Sequence, residues 1–343
     1  MATLIRRFQT REAYAGWSFV APGLAGILVF TLIPIAMALW VSFRDWNGVT
    51  PPATSNFVGL DNYRALLVEP GIDRSDFALA LRNNFYYVLG VVPAQTAIAF
   101  LLAVVLNQSA LRGRGFWRTA FYFPSITGSI AISLIFIFLF ARNGVVNWFF
   151  GAVLPVERLN WLDNANGVVH NALSVLGVDQ APAWLAERSL MGLSWWQWLS
   201  GPSVTLFAIM ILATWTTIGT MMLILLAGLQ GIPNDVEEAS RVDGASTWQH
   251  FRYVTLPMMR PQLLFVLTIG VIGTWQVFDQ VFAISAGGPQ KTTLTPAFLV
   301  YREGFRSLDM GGATAVSFLL FVIIIAFTLL QRRLVGAGDM GGR

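Results

Sequence analysis

Cysteine is absent from this 343-residue sequence, lysine occurs only at Lys291, and histidine only at His170 and His250. Without cysteine there is no disulfide framework and no thiolate metal site. Lys291 follows Gln290, so the G-x-x-x-x-G-K phosphate loop is excluded, and ATP hydrolysis by that route with it. Neither histidine belongs to a carboxylate cluster at metal-ligand spacing, His250 reads as a surface residue, and no nucleophile elbow is present. Charge is scarce too: 12% of residues are charged, against roughly a quarter in soluble domains, while 55% are hydrophobic. With a mean hydropathy of +0.62, this is an all-α polytopic membrane protein. Its net charge of +4 then serves orientation in the bilayer and calls for neither nucleic acid nor an acidic substrate.

Crossing a bilayer takes about 20 apolar residues at 1.5 Å rise. Six apolar runs qualify, at 15–43, 85–107, 119–141, 203–229, 262–284 and 313–330. Pro22, Pro34, Pro93 and Pro124 fall inside them as expected kinks, tolerated because neighbouring helices re-satisfy the backbone. The first run follows Arg6, Arg7 and Arg11, is too long for a cleaved signal, and is expected to be a retained span. Placing the N-terminus inside gathers Arg112, Arg114, Arg118, Arg241, Arg252, Arg260, Arg332, Arg333 and Arg343 into short inner segments. Both termini are therefore expected in the cytoplasm, with 1–14 and 336–343 as cytoplasmic ends of a membrane domain over 15–335.

The outer loop over 142–202 contains an echo. Asn143-Gly144-Val145-Val146-Asn147 recurs as Asn166-Gly167-Val168-Val169-His170, and Trp161-Leu162 recurs at the same offset as Trp184-Leu185. A duplicated amphipathic unit accounts for both matches. Trp195, Trp196 and Trp198 precede the fourth run, where an interfacial aromatic belt is expected, with a sugar-stacking platform as the alternative.

One long polar segment interrupts this lipid-adapted chain, from Pro233 to Pro257. Asn234 and Glu237 have capping-box spacing, as do Ser246 and Gln249, while Gly244 offers a left-handed exit and Pro257 a stop. The expectation is helix, turn, helix on the cytoplasmic side. Among intramembrane carboxylates only Asp279 lies within a run, near its outer end, which disfavours ion-coupled secondary transport. A non-transporting structural subunit is a further alternative.

Within that segment, Glu238-Ala239-Ser240-Arg241-Val242-Asp243-Gly244-Ala245 followed by Leu256-Pro257 resembles the EAA loop of permease subunits in binding-protein-dependent ABC importers. Ser240 departs from it, standing where the family usually has alanine. Asn56 to Tyr63, Leu111 to Thr119, and Phe278-Asp279 with Gly287-Gly288-Pro289 extend the resemblance over nearly the whole chain. They narrow it to the carbohydrate-uptake type, similar to the maltose and glycerol-phosphate permeases. The resemblance implies docking of Glu238, Ala239, Asp243, Gly244, Ala245, Leu256 and Pro257 to an ATP-hydrolysing subunit, with Glu238 facing that partner. Trp248, Phe251 and Tyr253 are then expected to anchor the pair to the membrane domain. It implies a second permease, two ATP-binding subunits that carry ATP and magnesium, an extracytoplasmic sugar-binding protein, and no cofactor in this chain. For the solute path the polar and aromatic residues of the later spans are the candidates: Thr214, Trp215, Thr217 and, beside the span-end motif, Trp275, Gln276 and Asp279.

Overall fold

The computed structural model describes residues 2–108, 111–153, 158–178 and 180–334. The tail expected over 336–343, Arg343 included, lies outside them. The fold is all-α, apart from two short hairpins. Among the described residues five helices are long and apolar enough to cross a membrane, and the bent pair Thr247–Met258 with Arg260–Trp275 brings the number to six.

The first run forms α1 (Ala2–Ile27), which passes through a π turn at Leu28–Leu32 into a second helical piece at Ile33–Val41. The π turn sits directly before Pro34, at the point where that residue can supply no amide to an α-helical ladder. The span Tyr14–Val41 is almost wholly exposed within the chain.

Helix α2 (Ile72–Asn107) has 36 residues, about 54 Å, and begins well before the expected start at 85. Its early turns are polar, which hid them from a hydropathy reading, yet Asp76, Arg82, Asn83 and Asn84 among them are buried. Asp76, Asn83 and Asn84 all have partners more than 190 residues away in sequence. Pro93 lies inside α2 without interrupting it.

The span expected over 119–141 is instead two helices, α3 (Arg114–Ile126) and α4 (Ser129–Phe140). Thr127 and Gly128 between them are extended, and Thr127 Oγ1 caps the carbonyl of Phe123 at 3.0 Å. A β-branched residue followed by glycine is a poor helix interior, so the break falls there.

Helix α5 (Val204–Gln230) is capped by Ser203, whose Oγ accepts from the Leu206 amide at 3.0 Å, and lies along α2 as the main packing partner. Its Gly219 meets α3 so closely that a Cβ would stand 2.4 Å from the Phe121 carbonyl oxygen. Next come α6 (Asn234–Val242), α7 (Thr247–His250) and α8 (Arg260–Trp275). The fifth run is not continuous either: α8 ends at Trp275, and α9 (Asp279–Ile284) follows after a break whose Val277 carbonyl is satisfied by Thr295 Oγ1 at 3.0 Å. Helix α10 (Met310–Leu334) completes the described chain.

Two apolar clusters stand one above the other along α2 and α5. The upper joins Tyr87, Val91, Ile209 and Ala213 to Val277 and Phe298; the lower joins Ala99, Phe100, Met222 and Leu225 to Met259 and Val266. With 27 residues, α5 separates the outer loop from the α6–α7 segment by about 40 Å.

In the outer loop the echo has structural form. Helices Val145–Val153 and Val168–Val175 each start directly after the repeated glycine. The units then diverge: Trp161 Nε1 donates to Asn147 Oδ1 at 3.0 Å, whereas Trp184 is exposed and His170 stacks on Trp196 with ring centroids 4.2 Å apart.

Candidate coupling segment and central cavity

Pro233, extended at ψ 137°, is itself the N-cap of α6, so Asn234 is the first helical residue and its expected side-chain cap is not formed. The free amides are instead offset by Asp235 and Glu237 in the first turn, where negative charge favours a helix N-terminus. The exit is as expected. Gly244 has φ +71°, and the Ala245 amide closes back on the Ser240 carbonyl at 3.0 Å. The second cap is fully formed, with the Gln249 amide on Ser246 Oγ at 3.3 Å and the Ser246 amide on Gln249 Oε1 at 2.8 Å.

Pro257 does not stop the second helix. The chain continues from α7 through a π turn at Phe251–Thr255 into Leu256–Met258 and breaks at Met259. Pro257 falls in the first turn of that last piece, where a missing N–H costs nothing. The break carries the 63° bend into α8.

Ser240 is buried between the two helices. Its Oγ donates to the Glu237 carbonyl at 2.9 Å and lies 2.7 Å from His250 Nδ1. His250, expected at the surface, is the second half of this link. Around it the motif divides. Glu238, Ala239, Asp243 and Gly244 are exposed, while Ala245, Leu256 and Pro257 are half-buried. Leu256 and Phe251 pack on the lower cluster, and Phe251 faces Phe100 at 5.9 Å. The aromatic anchor is thus narrower than expected. Trp248 stacks on Phe251 but is 69% exposed, and Tyr253 is 73% exposed.

Between the two apolar clusters lies a cavity of about 380 Å³, bounded by α2, α5, α8 and the start of α9. Gln276 and Asp279 line it, as does Thr217. Trp215 and Trp275 do not: Trp215 is 45% exposed on another face of α5, and Trp275 is buried against Phe327 with centroids 5.1 Å apart. Gln95 was missed by sequence reasoning. It is 1% exposed, lines the cavity, and its Oε1 accepts from Thr217 Oγ1 at 2.6 Å. Its signal was present, since Asn84, Tyr87, Val91 and Gln95 follow a helical period on one face of α2. The break in α8–α9 borders the same space, which is where non-helical backbone is tolerated at membrane depth. The arrangement offers hydroxyl, amide and carboxylate groups to a polar solute and contains no nucleophile–base pair.

Comparison with known proteins bears on the whole chain. Residues 95–336 match the family model described as "Binding-protein-dependent transport system inner membrane component". The probable ABC transporter permease protein YesP of Bacillus subtilis (strain 168) is 31% identical, over 93% of this chain and 90% of the relative. The lactose transport system permease protein LacF of Rhizobium radiobacter is 31% identical, over 92% of each chain. The trehalose/maltose transport system permease protein MalF of Thermococcus litoralis is 30% identical, over 95% of each. In fold, the chain resembles one from a bacterial ABC transporter involved in the import of the acidic polysaccharide alginate, with TM-score 0.71 and 18% identity, covering 97% of this chain and 99% of that one.

Proposed function

Since this chain belongs to the binding-protein-dependent transport system inner membrane component family, we propose that it is the permease subunit of an ATP-driven importer whose solute is a saccharide or related polyol. The relatives' printed solutes, lactose and trehalose or maltose, support that class, as do the hydroxyl and amide groups around the central cavity. ATP and magnesium would be held by two separate ATP-binding subunits, and a second permease and an extracytoplasmic binding protein would complete the assembly. The chain would lie in the cell's inner membrane with both termini cytoplasmic, as its arginine distribution implies.

The observation that carries this reading is the way the α6–α7 pair is built. Its motif residues Glu238, Ala239, Asp243 and Gly244 are exposed, while Ser240 ties α6 to α7 and Phe251 and Leu256 pack on the body. A rigid, outward-facing polar helix rooted on the packed spans transmits force from a docked protein. Closure of the ATP-binding subunits would move α6, and the spans would rock around the central cavity between inward- and outward-open states. Glu238 would accept a charge-assisted hydrogen bond from the partner, worth roughly 1.5–3 kcal/mol once desolvated.

Single cysteines introduced at Glu238 or Ala239 test the docking directly, since the chain has no cysteine of its own. Cross-linking to the ATP-binding subunit is expected from both positions and not from Leu60 on the outer side. Cross-linking from Leu60 alone contradicts the reading.

A further inference from the structure

A second polar cavity, about 460 Å³, opens between the outer loop, α2 and the turn that carries Thr292, in the roughly 300–1,000 Å³ range of small-ligand sites. Arg82, only 7% exposed, lines it. Among the described residues no carboxylate pairs with this guanidinium, whereas Arg302, Arg64, Arg241 and Lys291 each have one. A buried charge without a counter-charge is costly.

The hydrogen bonds of Arg82 show what it still offers. Nε and Nη2 donate to Asn83 Oδ1 at 3.3 and 2.9 Å, and Nη1 donates to the Gln197 carbonyl at 3.2 Å. Three of five N–H donors are engaged. One N–H on each terminal nitrogen is left, two donors for the oxygens of a carboxylate. Around it the wall contains the His170–Trp196 stack and the carboxamides of Asn166 and Asn171, whose side-chain nitrogens have no protein acceptor among the described residues. His170 is held to the Trp196 carbonyl through Nε2 at 3.1 Å, and burial lowers its pKa, so the ring presents a neutral face.

We propose that this outer cavity binds a saccharide bearing a carboxylate, a uronic acid unit, with Arg82 on the carboxylate and Asn166 and Asn171 on ring hydroxyls. The inference rests on the permease assignment and narrows its solute class. Amide donors beside an aromatic wall suit a polyhydroxylated ring better than an acidic peptide. The cavity is distinct from the central one, with which it shares no lining residue.

The test is equilibrium binding of trigalacturonate and of its neutral counterpart galactotriose to the assembled transporter in nanodiscs, without binding protein. The acidic trimer is expected to bind about 10- to 100-fold more tightly, the worth of a charge-assisted pair. Arg82→Gln removes that preference, Arg82→Lys restores part of it, and Asn171→Ala weakens both trimers alike. Should Arg82→Gln fail to assemble, the Arg82→Lys and Asn171→Ala variants decide. Equal affinity for the two trimers, while ATP-dependent uptake of a neutral saccharide persists, overturns the inference and leaves the transport assignment standing. Binding of a tetraglutamate peptide as tight as that of trigalacturonate also overturns it, since the site would then take a protein carboxylate.

Discussion

Ser240 and His250 meet at 2.7 Å across the Gly244 turn, locking two short helices that have no other side-chain hydrogen bond between them among the described residues. Ser240 is the one position where the segment departs from its family's usual alanine, and the departure forms a bond. Ser240→Ala keeps the close packing and loses this link together with the local bond to the Glu237 carbonyl, about 1 kcal/mol. Amide exchange over 234–250 should quicken about fivefold, with uptake retained. Ser240→Leu, which has no room, should displace α6 and abolish uptake.

Asp76 is the hub of the outer ion cluster. Its carboxylate takes Lys291 Nζ at 2.6 and 2.9 Å and a further bond from Arg302, whose Nη2 also reaches Glu303 at 2.8 Å. Asp76 is 2% exposed but Lys291 is 45% exposed, so solvent screening reduces the value of the pair. Asp76→Asn should cost about 2 kcal/mol, read as a lower melting temperature of the purified transporter. An unchanged melting temperature would mean the cluster contributes no net stability.

Asp309 predicts a pH dependence. Burial, followed by the neighbouring charges of Glu303, Asp73 and Asp45, raises its pKa above the ordinary 3.8, against the opposing bond from the Gly312 amide. A carboxyl raised in the folded state stabilises while protonated, below its unfolded pKa, and that contribution is lost as pH rises through the folded value. Asp309→Asn should therefore raise the melting temperature at pH 7 and have no stabilising effect at pH 3. A variant less stable at pH 7 contradicts this.

Gln95 tests the central cavity. Its amide bonds Thr217 in a space between two apolar clusters. Gln95→Leu should change the stability by no more than about 1 kcal/mol, because one neutral hydrogen bond is lost and apolar area gained. Saccharide uptake should fall about tenfold. Full uptake would remove Gln95 from the solute path.

The spans were legible because apolar runs of bilayer length have few other meanings, and the Ser246–Gln249 cap because its spacing is local. What escaped was whatever depends on distant partners. The polar first turns of α2 look like loop until Lys291, Leu294 and Trp275 arrive to satisfy Asp76, Asn83 and Asn84. The break after Trp275 is stabilised by Thr295, which lies 18 residues beyond the Val277 carbonyl it satisfies, so the run 262–284 reads as unbroken. Asn234 looked like a cap because its spacing to Glu237 fits, but Pro233 already occupied that conformation. Trp275 had the right neighbours in sequence and the wrong face of the helix.

On the proposed function, α6 receives work from an ATP-hydrolysing partner. In the chain alone Glu238 and Ala239 are both exposed, so bulk added there is felt chiefly by a docked protein. The decisive measurement is ATP-dependent saccharide uptake by proteoliposomes containing the full transporter with Glu238→Trp and Ala239→Trp together. Uptake should be abolished while the chain remains inserted and folded. Uptake that persists with both positions changed, or that proceeds without the ATP-binding subunit, contradicts it.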